Sequence, residues 1–256
     1  MLPKFKTVFW LVVLLFSTRE KSFSQFSIQK CVMEWYTGTW VGYETDAAVV
    51  LDGLLQTYDK LIPVSIHNGD SMEIPDGIYL QSFYTSAYPM ATFNRLDAAI
   101  SRGFWSSTTS TVLAGASTAT VTFDSVWYNA STRQLDLDLR VTFTGSETGN
   151  MRFNCIVVED SVTGSGLGYD QTNHYNTTSG HPYFGAGNPI VNYVHRFVSR
   201  SYLGGPYGTP GIIPASVSFG STYQHHYSYV IPSGYDIHQI SLVGLVSKYE
   251  GTGVTE

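Results

Sequence analysis

The sequence predicts an α+β fold, a small α/β segment followed by an antiparallel β-sandwich. Three observations carry that expectation. A strand, a helix and a second strand follow one another between residues 31 and 67. Apolar and polar residues alternate with period two from Leu135 to Phe143, the pattern of a strand with one buried and one wet face. The composition, 43% hydrophobic and 14% aromatic with only 13% charged residues, is too apolar for disorder and suits β-rich structure.

The first residues set the compartment. Lys4 and Lys6 precede an unbroken apolar run from Thr7 to Phe16, and Ser22 and Ser24 place small residues ahead of Gln25. Residues 1–24 therefore read as a signal peptide cleaved before Gln25. The run is well short of the roughly 20 residues needed to span a bilayer, so an uncleaved anchor is the weaker alternative. Cys31 comes too late after the run to be a lipoprotein site. The chain is expected to be exported, and peripheral to the membrane instead of crossing it.

From Cys31 to Tyr36 the residues suit a strand, and Thr37 to Tyr43 form a glycine-punctuated turn. Glu44 to Tyr58 has helical spacing of Ala47, Leu51, Leu54 and Tyr58, with Glu44 and Asp46 in the first turn where the helix dipole favours acids. Leu61 to His67 is a second strand with Pro63 near its start, which completes a parallel βαβ unit with a right-handed crossover. A short helix is expected between Ser71 and Ala87, a strand from Tyr88 to Arg95, and a small helix over Trp105 to Leu113. These elements define a domain at 25–116.

Beyond Ser117 the pattern becomes that of a sandwich. Strands are predicted at Val121–Tyr128, Leu135–Phe143 and Met151–Val158, with two further β-rich segments at 215–231 and 237–249. Residues 164–211 read as one long loop, rich in glycine and tyrosine, within a domain at 117–256. An outer-membrane barrel would need at least eight strands of about 9–11 residues, more than the sequence offers.

Several pieces, in this order, resemble known proteins. Met33 to Trp40 followed by Val41-Gly42-Tyr43-Glu44 resembles the strand and W-C-x-x-C turn of a thioredoxin fold, and Tyr88-Pro89 resembles its cis-proline loop. The turn at 37–40, Ser65 to Asp70, Asn94-Arg95, Val158 to Gly164, Gly168 to Asn173 and Val194-His195-Arg196 together resemble a family named for a twenty-eight-kilodalton outer-membrane protein of Gram-negative bacteria. That resemblance implies a thioredoxin-like first domain, an outer-membrane, cell-surface or periplasmic location, and an adhesin or receptor role. The departure is at the turn, where Val41 and Glu44 stand in both cysteine positions. Thiol–disulfide exchange needs an attacking thiolate and a resolving thiol, and this turn has neither.

Catalytic residues are therefore expected to be none. Binding is expected instead at a shallow aromatic groove of Trp40, Tyr43, Tyr88 and Pro89, and at the long loop through Tyr169, Tyr175 and Tyr183. Tyrosine amid Asn, Ser and Gly suits an adaptable contact surface. Those tyrosines could equally lay the loop down on the sandwich as a structural lid. No metal motif occurs, and His225 and His226 on one strand would point to opposite faces. Asp160, Asp170 and Asn173 are the remaining oxygen donors that a calcium ion could use, but no metal or other cofactor is expected.

Cys31 and Cys155 could pair in an oxidising compartment, but they fall in different predicted domains, which favours two buried thiols. The net charge of -6, without a basic run after the leader, argues against nucleic acid as a partner. The function expected is a non-enzymatic surface protein binding a protein or glycan. The rivals are a thiol–disulfide enzyme using Cys31 or Cys155, and a structural subunit of an envelope assembly.

Overall fold

A computed structural model describes residues 27–251 and 254–255. The predicted signal peptide at 1–24 lies outside the described residues. The chain forms an α+β fold around one mixed sheet. Strand β1 (Cys31–Thr37), helix α1 (Glu44–Thr57) and strand β2 (Leu61–His67) make the expected parallel unit, with Cys31 opposite Leu61 and Thr37 opposite His67. Helix α2 (Pro75–Tyr84) follows, then β3 (Met90–Phe93), β4 (Ile100–Ser101) and α3 (Trp105–Leu113). β3 runs antiparallel to β1, and β4 antiparallel to β3. The order β2-β1-β3-β4 is that of a thioredoxin-like unit.

The second half supplies β5 (Ala119–Asn129), β6 (Gln134–Phe143), β7 (Glu147–Thr148), β8 (Asn150–Glu159), β9 (Val198–Tyr202), β10 (Ser216–Val217), β11 (Thr222–Val230), β12 (Ile240–Tyr249) and β13 (Val254–Thr255). These strands do not stand apart from the first half. β9 pairs parallel to β2 through Ser65 and Val198, and antiparallel to β8. One eight-stranded sheet results, in the order β13-β12-β8-β9-β2-β1-β3-β4. The sheet β11-β6-β5 packs against its β8–β12 half, so the sandwich borrows one of its two layers from the sheet of the α/β unit.

The expected continuous loop at 164–211 thus needs correction, because it contains β9. Ser199, Arg200 and Ser201 hide that strand from an apolar pattern. Arg200 is nonetheless buried, because its Nε donates to Glu159 at 2.7 Å. A buried cation with a hydrogen-bonded carboxylate is tolerated where a lone one is not.

Burial explains which face each helix takes. Cys31, Met33 and Trp35 meet α1 through Ala47, Leu51 and Leu54, and α3 through Trp105. The alternate residues Val32 and Tyr36 join Leu80 and Tyr84 of α2, together with Ile156 and Val158 of β8 and Val243 and Leu245 of β12. This second cluster spans residues from both halves. Asn94 and Arg95 follow β3 with positive φ of 48° and 49°. There the Asn94 side chain accepts from Val32 N at 2.7 Å, and Arg95 reaches buried Glu34 through Nε at 2.5 Å. Cys31 and Cys155 are both buried, on strands three sheet spacings apart, about 14 Å and beyond disulfide reach. Among the described residues, no helix is long and apolar enough to cross a membrane.

Candidate functional site

The turn after β1 sits where a thioredoxin-like fold carries its chemistry, between the end of β1 and the first turn of α1. Tyr88-Pro89 is a cis peptide, and Tyr88 meets Trp40 edge-on with ring centroids 5.2 Å apart. Pro89 is buried. Trp40 is 49% exposed, yet its ring is held in place, with Nε1 donating to Asn68 O at 2.8 Å. Tyr43, 48% exposed, is fixed between the His174 and Tyr175 rings and under the Arg102 guanidinium.

Glu44 is the first residue of α1 and is buried. Its Oε2 accepts from Trp35 Nε1 at 3.2 Å and from Thr37 Oγ1. Burial outweighs those bonds and pushes its carboxyl up to about 8, so it is protonated at neutral pH. A cavity of about 50 Å3 lies beside it, walled by His67, His195, Tyr183 and Tyr193, with room for one or two waters.

The two histidines have assigned tautomers. His67 Nδ1 donates to Asp70 Oδ2 at 2.7 Å, because a carboxylate only accepts. His195 Nε2 donates to Tyr169 O at 2.8 Å for the same reason. Burial, with His67 close by, lowers His195 to about 4 and keeps it neutral. Burial alone would raise Asp70, but His67 and the amides of Met72 and Thr39 hold it below the usual carboxylate range. The cluster is an acid–base network sealed from solvent.

What seals it is the segment 164–195. Thr172 N donates to Thr39 O at 2.8 Å, and His174 N to Gly42 O at 3.0 Å. Buried Gln171 donates through Nε2 to Thr39 O at 3.1 Å and to Val41 O at 2.9 Å. Asn173 Oδ1 accepts from Thr45, while its Nδ2 donates to Tyr183 O and Gly187 O, each at 3.0 Å. At Gly42 a Cβ would stand 2.2 Å from His174 Cδ2, so only glycine allows this approach.

The predicted site residues thus divide. Trp40, Tyr43, Tyr88 and Pro89 come together at the turn. Tyr169, Tyr175 and Tyr183 join them from the covering side, half-buried and facing inward. Tyr169 packs with Met72, Val162 and Val198. Tyr175 accepts from Arg102 Nη2 at 3.0 Å and stacks on His181, with ring centroids 4.1 Å apart. Tyr183 OH lies 3.4 Å from Tyr193 OH. The covering segment instead turns Leu167, Phe184, Val191 and Val194 outward, with Leu167 90% exposed. Asn173 spends its side chain on this packing, and among the described residues no group of three or more His, Cys, Asp or Glu is placed to hold a metal.

Sequence reasoning missed Glu44 as a buried acid and the His67–Asp70–His195 group. The signal available was the His67-Asn68-Gly69-Asp70 run, which brings an imidazole and a carboxylate together across one tight turn.

No protein-family model and no curated protein matches the chain. Among solved structures it is similar to HBP35 of Porphyromonas gingivalis, at 14% identity and a TM-score of 0.64, over 86% of this chain and 69% of that one. At that identity the likeness is one of fold.

Proposed function

We propose that this chain is a non-catalytic cell-envelope protein that binds a protein or glycan partner at the end of the fold carrying Trp40 and Tyr43. The observation that carries the reading is the pairing of a closed turn with a fixed aromatic surface. The positions of the two sulfurs hold Val41 and a buried, protonated Glu44. The chain's own backbone pairs with Thr39 O and Gly42 O, so the turn is closed to an incoming extended chain at those groups. Trp40 meanwhile presents half its surface on a ring already locked by Asn68 and Tyr88. A pre-positioned aromatic loses little rotamer entropy on binding, which is why Trp and Tyr recur as binding anchors.

Neither remaining cysteine favours the redox alternative. Cys155 is buried, and burial raises its thiol to about 12, far from a reactive thiolate. Cys31 is buried at the end of β1 away from the turn. The signal peptide expected at 1–24 supports an envelope location.

The experiment is a screen of immobilised glycans and envelope or host-surface proteins with wild type, Trp40→Ala and Tyr43→Ala. A bound partner should be lost at least tenfold in both variants, with circular dichroism showing that each variant is folded. Equal binding by all three would remove the assigned surface. Cysteine-dependent reduction of insulin would remove the non-catalytic half of the reading.

A further inference from the structure

A groove of about 950 Å3 opens at the end of the large sheet away from the turn, within the volume range of natural binding sites. Its floor is the start of β1 and β2 and the end of β8, through Val32, Leu61–Pro63 and Val158. Its walls are residues 116–123, leading into β5, and residues 241–246 of β12. Both walls contribute consecutive residues. A strand lining a cavity with one face supplies alternate residues only, so the groove follows the strand margins.

Those margins are free among the described residues. β12 pairs with β8 along its whole length, but on its other side it pairs only at Lys248 and Tyr249, with β13. β5 pairs with β6, and on its other side Ser27 bridges Ser117 and reaches only the start of the strand, donating to Ala119 O at 2.5 Å and accepting from Thr120 at 3.1 Å. Gly244 packs on Leu139 of β6 and Phe123 of β5, since a Cβ there would be 2.5 Å from Leu139 Cδ1 and 3.0 Å from Phe123 Cζ, which sets β12 over the β5 side of the second layer. The lining carries only two charged residues, Lys30 and Asp160, and is otherwise dominated by groups such as Val121, Leu242 and Val246.

An acyl chain would fill this volume but leave the backbone N–H and C=O groups of both margins unpaired in an apolar slot. An extended peptide satisfies them. We propose that the groove accepts a strand from a partner protein, apolar at alternate positions and uncharged at its centre, paired to the free margin of β12. The open stretch 240–247 spans about 27 Å, which seats six to eight residues. This surface is remote from Trp40, so either reading can fail alone.

The test uses the isotope-labelled protein and a library of seven-residue peptides carrying Val, Ile, Phe or Tyr at alternate positions with Thr between. A sixteen-carbon fluorescent fatty acid forms a separate arm. At least one peptide should bind and slow amide exchange at 241–247 tenfold or more. Methylating alternate backbone nitrogens of that peptide should weaken binding at least tenfold. Val121→Arg should weaken it too, with circular dichroism reporting whether the variant folds. The proposal is overturned if no library member slows those amides, if the methylated peptide binds as well as its parent, or if the fatty acid alone protects the same amides.

Discussion

Glu44 sits where a thiol would resolve a mixed disulfide, and its burial gives the chain a pH-dependent stability. Its folded value is raised from 4.5 to about 8. The unfolded chain therefore releases its proton first as pH rises, and stability falls between about pH 4.5 and 8, at a cost on the order of 3 kcal/mol by pH 7. Glu44→Gln keeps an acceptor for Trp35 and Thr37 and has no proton to lose. Urea unfolding at pH 5 and pH 8 should show wild type losing stability relative to Glu44→Gln, which itself gains stability over that interval because unfolded His195 gives up its proton while folded His195 is already neutral. A variant that tracks wild type would assign the pH dependence to another group. The absence of cysteine at positions 41 and 44 was legible at this scale, because it is a matter of residue identity. The protonation of Glu44 was not, since it depends on burial under a distant cover that outweighs the bonds from Trp35 and Thr37.

Among elements, the covering segment decides what the turn can present. Gln171 and Asn173 pin it by side chains that reach backbone carbonyls and Thr45. Gln171→Ala removes the second donor to Thr39 O and Val41 O, which keep Thr172 N and Glu44 N, so the loss is that of two hydrogen bonds, about 1–3 kcal/mol in all. Limited proteolysis should then cut between 176 and 186 at least tenfold faster than in wild type. An unchanged cleavage rate would mean that the remaining contacts hold the segment without Gln171. The tyrosine-rich composition left contact surface and lid open as alternatives, and the inward placement of Tyr169, Tyr175 and Tyr183 fits the lid. β9 was illegible for a related reason. Its Ser199-Arg200-Ser201 reads as loop until Glu159 supplies the partner that lets Arg200 be buried.

For the whole molecule, the shared sheet couples regions that the sequence sets apart at 116 and 117. Val32 and Ile66 lie in the same core as Ile156 and Val243, and β9 stitches β2 to β8. Denaturation should accordingly be one cooperative transition, with tryptophan fluorescence and far-ultraviolet circular dichroism coinciding. Ile156→Ala should lower that single midpoint through a loss of 2–5 kcal/mol. Two resolved transitions, with only one moved by Ile156→Ala, would show that the halves fold separately.

The amino-acid sequence alone set the βαβ order, the boundaries of α1 and α3, the main strands of the second half and a turn after β1 that carries no cysteine. Each is written in local spacing or in residue identity, and local hydrogen bonding and periodic burial suffice to express it. The tertiary structure decided that one sheet runs through both halves, that residues 164–195 close the turn, and that two strand margins stay open beside an apolar groove. Those outcomes join residues more than a hundred positions apart. Such pairings are chosen by which distant groups satisfy one another, a choice that leaves no period in the chain.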